Sequence, residues 1–229
     1  MDWNFGEQQA LLDDLLGDPN EGTDDAFPTA KRKEALNAGE IQFCADSLCV
    51  KEYATGTIAS LELDVPSDYL ALHCLIINDY VITKDREIPL HKWRWYYQNA
   101  TEDQGYFYMW EFSGTKKMKF LAGSGFNGKT YKLFYFKHPT TDLDIDADES
   151  IIPKEFRKAS VYYAAHRLLR SIGQNTRAAE CLATYSDLVN KARERSEKEF
   201  MKDTSPVPDM GVEDVLSETD RQGQGHKWG

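Results

Sequence analysis

No apolar run in the 229-residue sequence approaches the roughly 20 residues that a bilayer-crossing helix needs. The first residues, MDWNFGEQQ, lack the basic and apolar regions of a secretory leader. Basic residues are in the minority: 27 Lys and Arg stand against 38 Asp and Glu, a net charge of −11. That balance argues against a grip on nucleic acid, which needs clustered cations to replace counterions on phosphate. It leaves open a surface that nucleic acid merely passes. The four cysteines (Cys44, Cys49, Cys74, Cys181) contain no CxxC pair, so the expectation is reduced thiols and an intracellular site of assembly. The five histidines never fall at HxxxH or HExxH spacing, and no serine or cysteine sits in a GxSxG-like elbow.

What is present is enough apolar material for a core: 41% hydrophobic residues, with Trp 5, Tyr 12 and Phe 11. The organising stretch is 151–202. Pro153 suits the first turn of a helix, which has no use for its missing N–H. Gly173 follows Leu168, Leu169 and Ile172 as a stop, and Asn175 is placed to cap a second helix. In that helix Ala178, Leu182, Tyr185, Val189 and Ala192 recur at steps of four and three, which predicts one packing seam.

Two short helices are predicted before it. Glu7 to Leu16 carries Ala10, Leu11, Leu12, Leu15 and Leu16 as an apolar stripe, ended by Gly17, Asp18 and Pro19. Thr29 is placed to cap a helix reaching about Cys44, with Leu36, Ile41 and Phe43 directed inward. Isolated helices of this length are marginal in water, so both are expected to pack on the hairpin from Ile151 onward. Between them the period changes. Ile58, Leu61, Leu63 and Val65 lead to a turn at Pro66, Ser67 and Asp68. Residues 69–82 read as a hairpin with its tip at Asn78-Asp79. Tyr106, Tyr108, Trp110 and Phe112 share one side of an extended run, and 117–121 and 131–137 alternate likewise. Six or so short strands predict a small antiparallel sandwich or barrel inserted into a helical domain. The α+β layout is therefore helices over 1–52, a β insertion over 53–140, a helical hairpin over 141–203 and an extended tail over 204–229. Alone the tail would be disordered, so a subunit or partner is expected to hold it.

Four patterns invite a chemical reading. GSGFNGKT, Gly123 to Thr130, matches the phosphate-cradling GxxxxGK[ST], with Lys129 and Thr130 in the phosphate and magnesium roles. That motif works only when it leads into a helix, and the next residues here, YKLFYFK, read as a strand. Asp142, Asp144, Asp146 and Asp148 alternate as calcium ligands do, but the sixth and twelfth positions hold Ala147 and Pro153 rather than Gly and Glu. The run is expected to be a solvated loop whose last acids favour the positive end of the helix after it. His166 reads as a core or interface residue, and Cys44 and Cys49 could pair only if their helix ended between them. The aromatic run Trp93 to Tyr97 reads as core or protein interface. A sugar- or receptor-binding platform made of Trp93, Trp95 and Tyr97 is the rival. No catalytic, cofactor or metal site is assigned, and no membrane contact is expected.

The layout also carries a resemblance. A leucine-bearing first helix, an ALNAGE helix, a β region approached through LDVPSDYL, then TYKLFYF, an acidic linker and IIPKEFRKASVYYAAHRLL occur in that order. Taken together, over roughly Leu11 to Lys202, the chain resembles the head-to-tail adaptors of tailed bacteriophages, also called neck, head-completion or tail tubular A-type proteins. The resemblance implies a helical bundle with an inserted β domain and a non-enzymatic virion protein assembled in the host cytoplasm. It implies a homo-oligomeric ring, typically twelve-fold, below the portal protein. Such a ring extends the channel through which viral DNA passes without specific binding, and it presents a dock for tail, stopper or nozzle proteins. The tail from Thr204 to Gly229 would then reach along the portal. Another virion ring, a stopper or tail terminator, is the near alternative.

Overall fold

In the computed structural model the described residues are 3–17, 27–78, 80–93, 96, 105–112, 114–121 and 124–203. The expectations placed on Asp18, Pro19, Asp79, Trp95, Tyr97, Gly123 and the tail from Thr204 to Gly229 lie outside them. Four α-helices and seven strands occur among the described residues: α1 Phe5–Leu16, α2 Thr29–Ser47, β1 Lys51–Thr57, β2 Glu62–Asp64, β3 Tyr69–Ile77, β4 Tyr80–Ile82, β5 Phe107–Phe112, β6 Thr115–Phe120, β7 Thr130–Lys137, α3 Lys158–Ser171 and α4 Asn175–Asp203. Residues 3–193 belong to one compact unit, and the last turns of α4 from Glu194 fall in a second.

Among the described residues these strands pair antiparallel, in two sheets of order β1-β7-β3-β4 and β2-β6-β5, with one isolated parallel bridge from Glu87 to Phe107. Leu72, Leu75 and Ile77 from the first sheet meet Leu63, Phe107, Met118 and Phe120 from the second in one buried cluster, which makes the β region a small sandwich. The chain enters this sandwich on β1 and leaves on β7. These two strands pair along their whole length, from Lys51 opposite Phe136 to Thr57 opposite Thr130. Entry and exit are thus side by side, which is what allows a β module to be inserted between two helices. The turn at Pro66 is present, with the Tyr69 N–H donating to the Pro66 carbonyl at 3.1 Å.

The helices share a separate core of Phe5, Leu12, Leu16, Leu36, Val161, Ala164, Ala165 and Leu169. A third cluster joins Phe43 and Val50 to Ile152, Phe156, Tyr185 and Val189 where the frame meets the root of the sandwich. Both leading helices do pack on the hairpin, and α2 crosses α3 at Gly39. The hairpin turn is a Schellman motif. Gly173 takes φ +79°, its N–H donates to the Arg170 carbonyl at 3.1 Å, and the Gln174 N–H donates to the Leu169 carbonyl at 3.0 Å.

Several local expectations are corrected. The helix after Pro153 begins only at Lys158, because Pro153 opens a single 3-10 turn, Lys154–Phe156, that must first bend the chain. Asn175 is the first residue of α4 rather than its cap; Gln174 holds the cap position, its carbonyl accepting the Ala178 N–H at 3.0 Å. Likewise α2 starts on Thr29, and Pro28 at its cap offers no side-chain bond. Leu182 is 37% exposed and Cys181 replaces it in the seam, so the buried steps run Ala178, Cys181, Tyr185, Val189, Ala192. Ile41 is 47% exposed, although Leu36 and Phe43 are buried as expected. Tyr106, Tyr108 and Trp110 do share one side of the run through β5, partly covered, and the fully buried residue is Phe107 on the other side.

Candidate assembly surface

The motif that imitates a phosphate loop is a turn between sheets. Gly128 and Lys129 are locked to Ile58, whose N–H donates to the Lys129 carbonyl at 2.9 Å and whose carbonyl accepts from Gly128 at 2.8 Å. Strand β7 starts at Thr130. A strand and not a helix follows the motif, so the cradle that nucleotide phosphates require is not formed. The acidic run at 142–149 is used as structure. Carbonyls of Asp148 and Asp146 accept the N–H groups of Phe5 and Gly6, at 2.9 and 3.1 Å. The Asp148 carboxylate accepts from the backbone of Asp144 and Ile145 at 2.7 and 3.0 Å, and these two bonds hold its carboxyl below the usual carboxylate range. The run therefore serves the start of α1, and its last acid, Glu149, lies 3.4 Å from Arg157 at the cap of α3. No grouping of three or more His, Cys, Asp or Glu suited to a metal occurs among the described residues.

His166 lies against the hairpin, its Nδ1 2.9 Å from the Ala178 carbonyl oxygen. Helix α2 does end between Cys44 and Cys49, yet both are free thiols, and the Ser47 hydroxyl donates to the Cys49 sulfur at 3.2 Å. Burial is the main cause pushing the Cys44 thiol up, which leaves it an unreactive core residue. Trp93 packs on Tyr108 with ring centroids 4.1 Å apart, and Tyr96 on Tyr106 at 5.0 Å. Arg86 lies over the Tyr106 ring at 5.2 Å.

Chemistry-bearing groups missed by sequence reasoning lie inside the helical frame. Arg157 is buried and gathers three segments. Its Nε donates to the Ile152 carbonyl at 3.0 Å, Nη1 to the Trp3 carbonyl at 2.9 Å, and Nη2 to the Ser150 carbonyl at 2.9 Å, with Glu149 Oε2 at 3.4 Å. Near it Glu40, 1% exposed, borders a polar cavity of about 90 Å³ together with Asp68, Lys137, His138 and Glu149. Burial raises the Glu40 carboxyl above its ordinary 4.5, against the lowering pull of Ser150, Gln8 and the Arg157 charge. The native state therefore holds this proton more tightly than the unfolded chain. Stability falls as pH rises above the unfolded value and through the folded one. The expected outcome for Glu40→Gln is a higher melting temperature than the parent at neutral pH, with the advantage gone below about pH 4.5. Thermal denaturation across that range reads it; an equal gain at every pH would assign the effect to packing rather than proton binding.

The outer surface carries the remaining unusual features. Exposed apolar side chains include Ile41, Tyr53, Val81, Leu90, Ile145, Ile172 and Leu182. Beside α2 runs an open groove of about 510 Å³ between that helix and the acidic linker, bordered by Ala30, Glu34, Ala38, Ile41, Asp142 and Asp144. Lys33 crosses to Asp144 at 2.9 Å, and Asn37 and Leu143 exchange two bonds of 3.0 and 2.9 Å. These bonds fix the linker against α2.

The described residues thus form a helical frame with Ile41, Ile172 and Leu182 exposed on it and a β-sandwich between two of its helices. The comparison with known families is specific: the model of the SU10 adaptor protein family matches residues 4–207, nearly the whole chain. The chain belongs to that family of bacteriophage head-to-tail adaptors and is a structural component of the virion. No curated protein matches the sequence. No helix among the described residues is long and apolar enough to cross a membrane.

Proposed function

We propose that copies of this chain close into a ring, twelve-fold as in the adaptors it resembles, seated below the portal. The ring extends the DNA channel and offers the tail, stopper or nozzle proteins a surface to dock on. Its role is structural rather than catalytic. The observation that carries this reading is the family match over residues 4–207. The charge balance supports it: a net −11 suits a wall past which DNA slides, because cationic patches would hold phosphates and slow passage. The helical frame over 1–52 and 141–203, completed by neighbours, forms the ring wall. The β insertion over 53–140 projects from it, and the segment 204–229 engages the portal.

The test is to mix full-length protein with purified portal and measure mass by native mass spectrometry, then image the complex. A closed ring bound coaxially to the portal is expected. Protein that remains monomeric and unbound at micromolar concentration would remove the reading.

A further inference from the structure

The charges of this acidic chain are segregated. Residues 154–179, spanning α3 and the turn into α4, carry six Lys or Arg against one Glu, whereas residues 141–150 carry five Asp or Glu and no Lys or Arg. At the end of α3, Arg167 and Arg170 are exposed, and neither has an ion-pair partner among the described residues. Between these arginines and Gly173 stands Ile172, 44% exposed. The two arginines make the end of α3 a cationic knob.

The groove beside α2 has the opposite character. It is lined along α2 by Ala30, Glu34, Ala38 and the exposed Ile41, with Lys33 and Asn37, and along the linker by Asp142 and Asp144. Lys33 neutralises Asp144, while Glu34 and Asp142 have no ion-pair partner among the described residues. Knob and groove are complementary in charge, as paired interface patches are.

Two different, mutually complementary patches on one chain generate a heterologous contact, in which each copy gives its knob to one neighbour and its groove to the other. We propose that the end of α3 of one subunit, bearing Arg167 and Arg170, seats in the Glu34–Ile41–Asp142 groove of a second copy of this chain. This contact rests on the ring reading and is the one that closes the ring.

Charge reversal with complementation tests it. Arg167→Glu/Arg170→Glu reverses the knob, and Glu34→Lys/Asp142→Lys reverses the groove; circular dichroism checks that each full-length variant is folded. Sedimentation velocity is run with each alone, with the two mixed, and with portal added to each sample. Each variant alone is expected to self-associate at least about tenfold more weakly than the parent. The equimolar mixture should recover assembly, because each reversed patch then meets its reversed mate. If both variants assemble like the parent, or if the mixture fails to recover, the contact is wrong while the ring reading stands. If the parent itself stays monomeric with portal present, the ring reading falls and this contact falls with it.

Discussion

Gly39→Ala is expected to destabilise the protein by about 3 kcal/mol or more, enough to remove much of the stability of a typical domain. Gly39 is buried in the middle of α2, where α3 crosses it. A Cβ there would fall far inside contact with the Ser160 carbonyl oxygen and only 3.0 Å from its carbon. These are helical backbone atoms, so no rotamer change relieves the overlap; the two helices must separate. Separation would open the shared core in which Leu36, Val161, Ala164 and Ala165 meet. Alanine gains about 1 kcal/mol of helix propensity over glycine, which offsets only part of that loss. Urea denaturation followed by circular dichroism reads the result. A stability equal to or above the parent would mean that the helices do not approach so closely.

Arg157→Ala is expected to cost about 3–5 kcal/mol, the range for removing one partner of a buried charged network. The guanidinium satisfies the carbonyls of Trp3, Ser150 and Ile152 together. Without it these acceptors lose the one donor group they share, and each carbonyl left buried and unpaired carries its desolvation penalty. Glu40 also loses the nearby positive charge that lowers its pKa. The damage should be directional: the approach to α1 through Trp3 and the linker at 149–152 loosen first, while the sandwich core, which contains none of these residues, holds. Hydrogen exchange should show α1 and the linker losing protection before β3 and β7. Arg157→Lys should restore little, since one ammonium cannot span three carbonyls held in a planar fork's geometry. Uniform loss of protection across both cores would contradict the local role.

Which features were legible in the sequence depends on the range of the forces involved. Gly173 as a helix stop was readable because its cause is local, a left-handed residue that lets two backbone N–H groups reach back. The sandwich was readable from alternation, and the false phosphate loop from the strand composition directly after Thr130. The starts of α2 and α4 each shifted by one residue, because cap choice depends on small backbone preferences that neighbouring segments override. Ile41 and Leu182 fit a helical stripe in sequence but face outward, since a stripe gives a period and not the width of what covers it. A signal for the tight crossing was available in Gly39, an isolated glycine within a helical pattern, which usually has a packing cause.

By itself the sequence determined the element types, their order, the change of period near Tyr53 and the acidic balance of the surface. All of these depend on neighbours within a few positions or on totals. The tertiary structure decided that β1 and β7 stand side by side at the root of the insertion, that Glu40 and Arg157 lie inside the frame, and that an acidic groove opens beside α2. Each depends on which distant segments exclude water from a given side chain, and that exclusion is set by the packing of the whole chain rather than by any window of it.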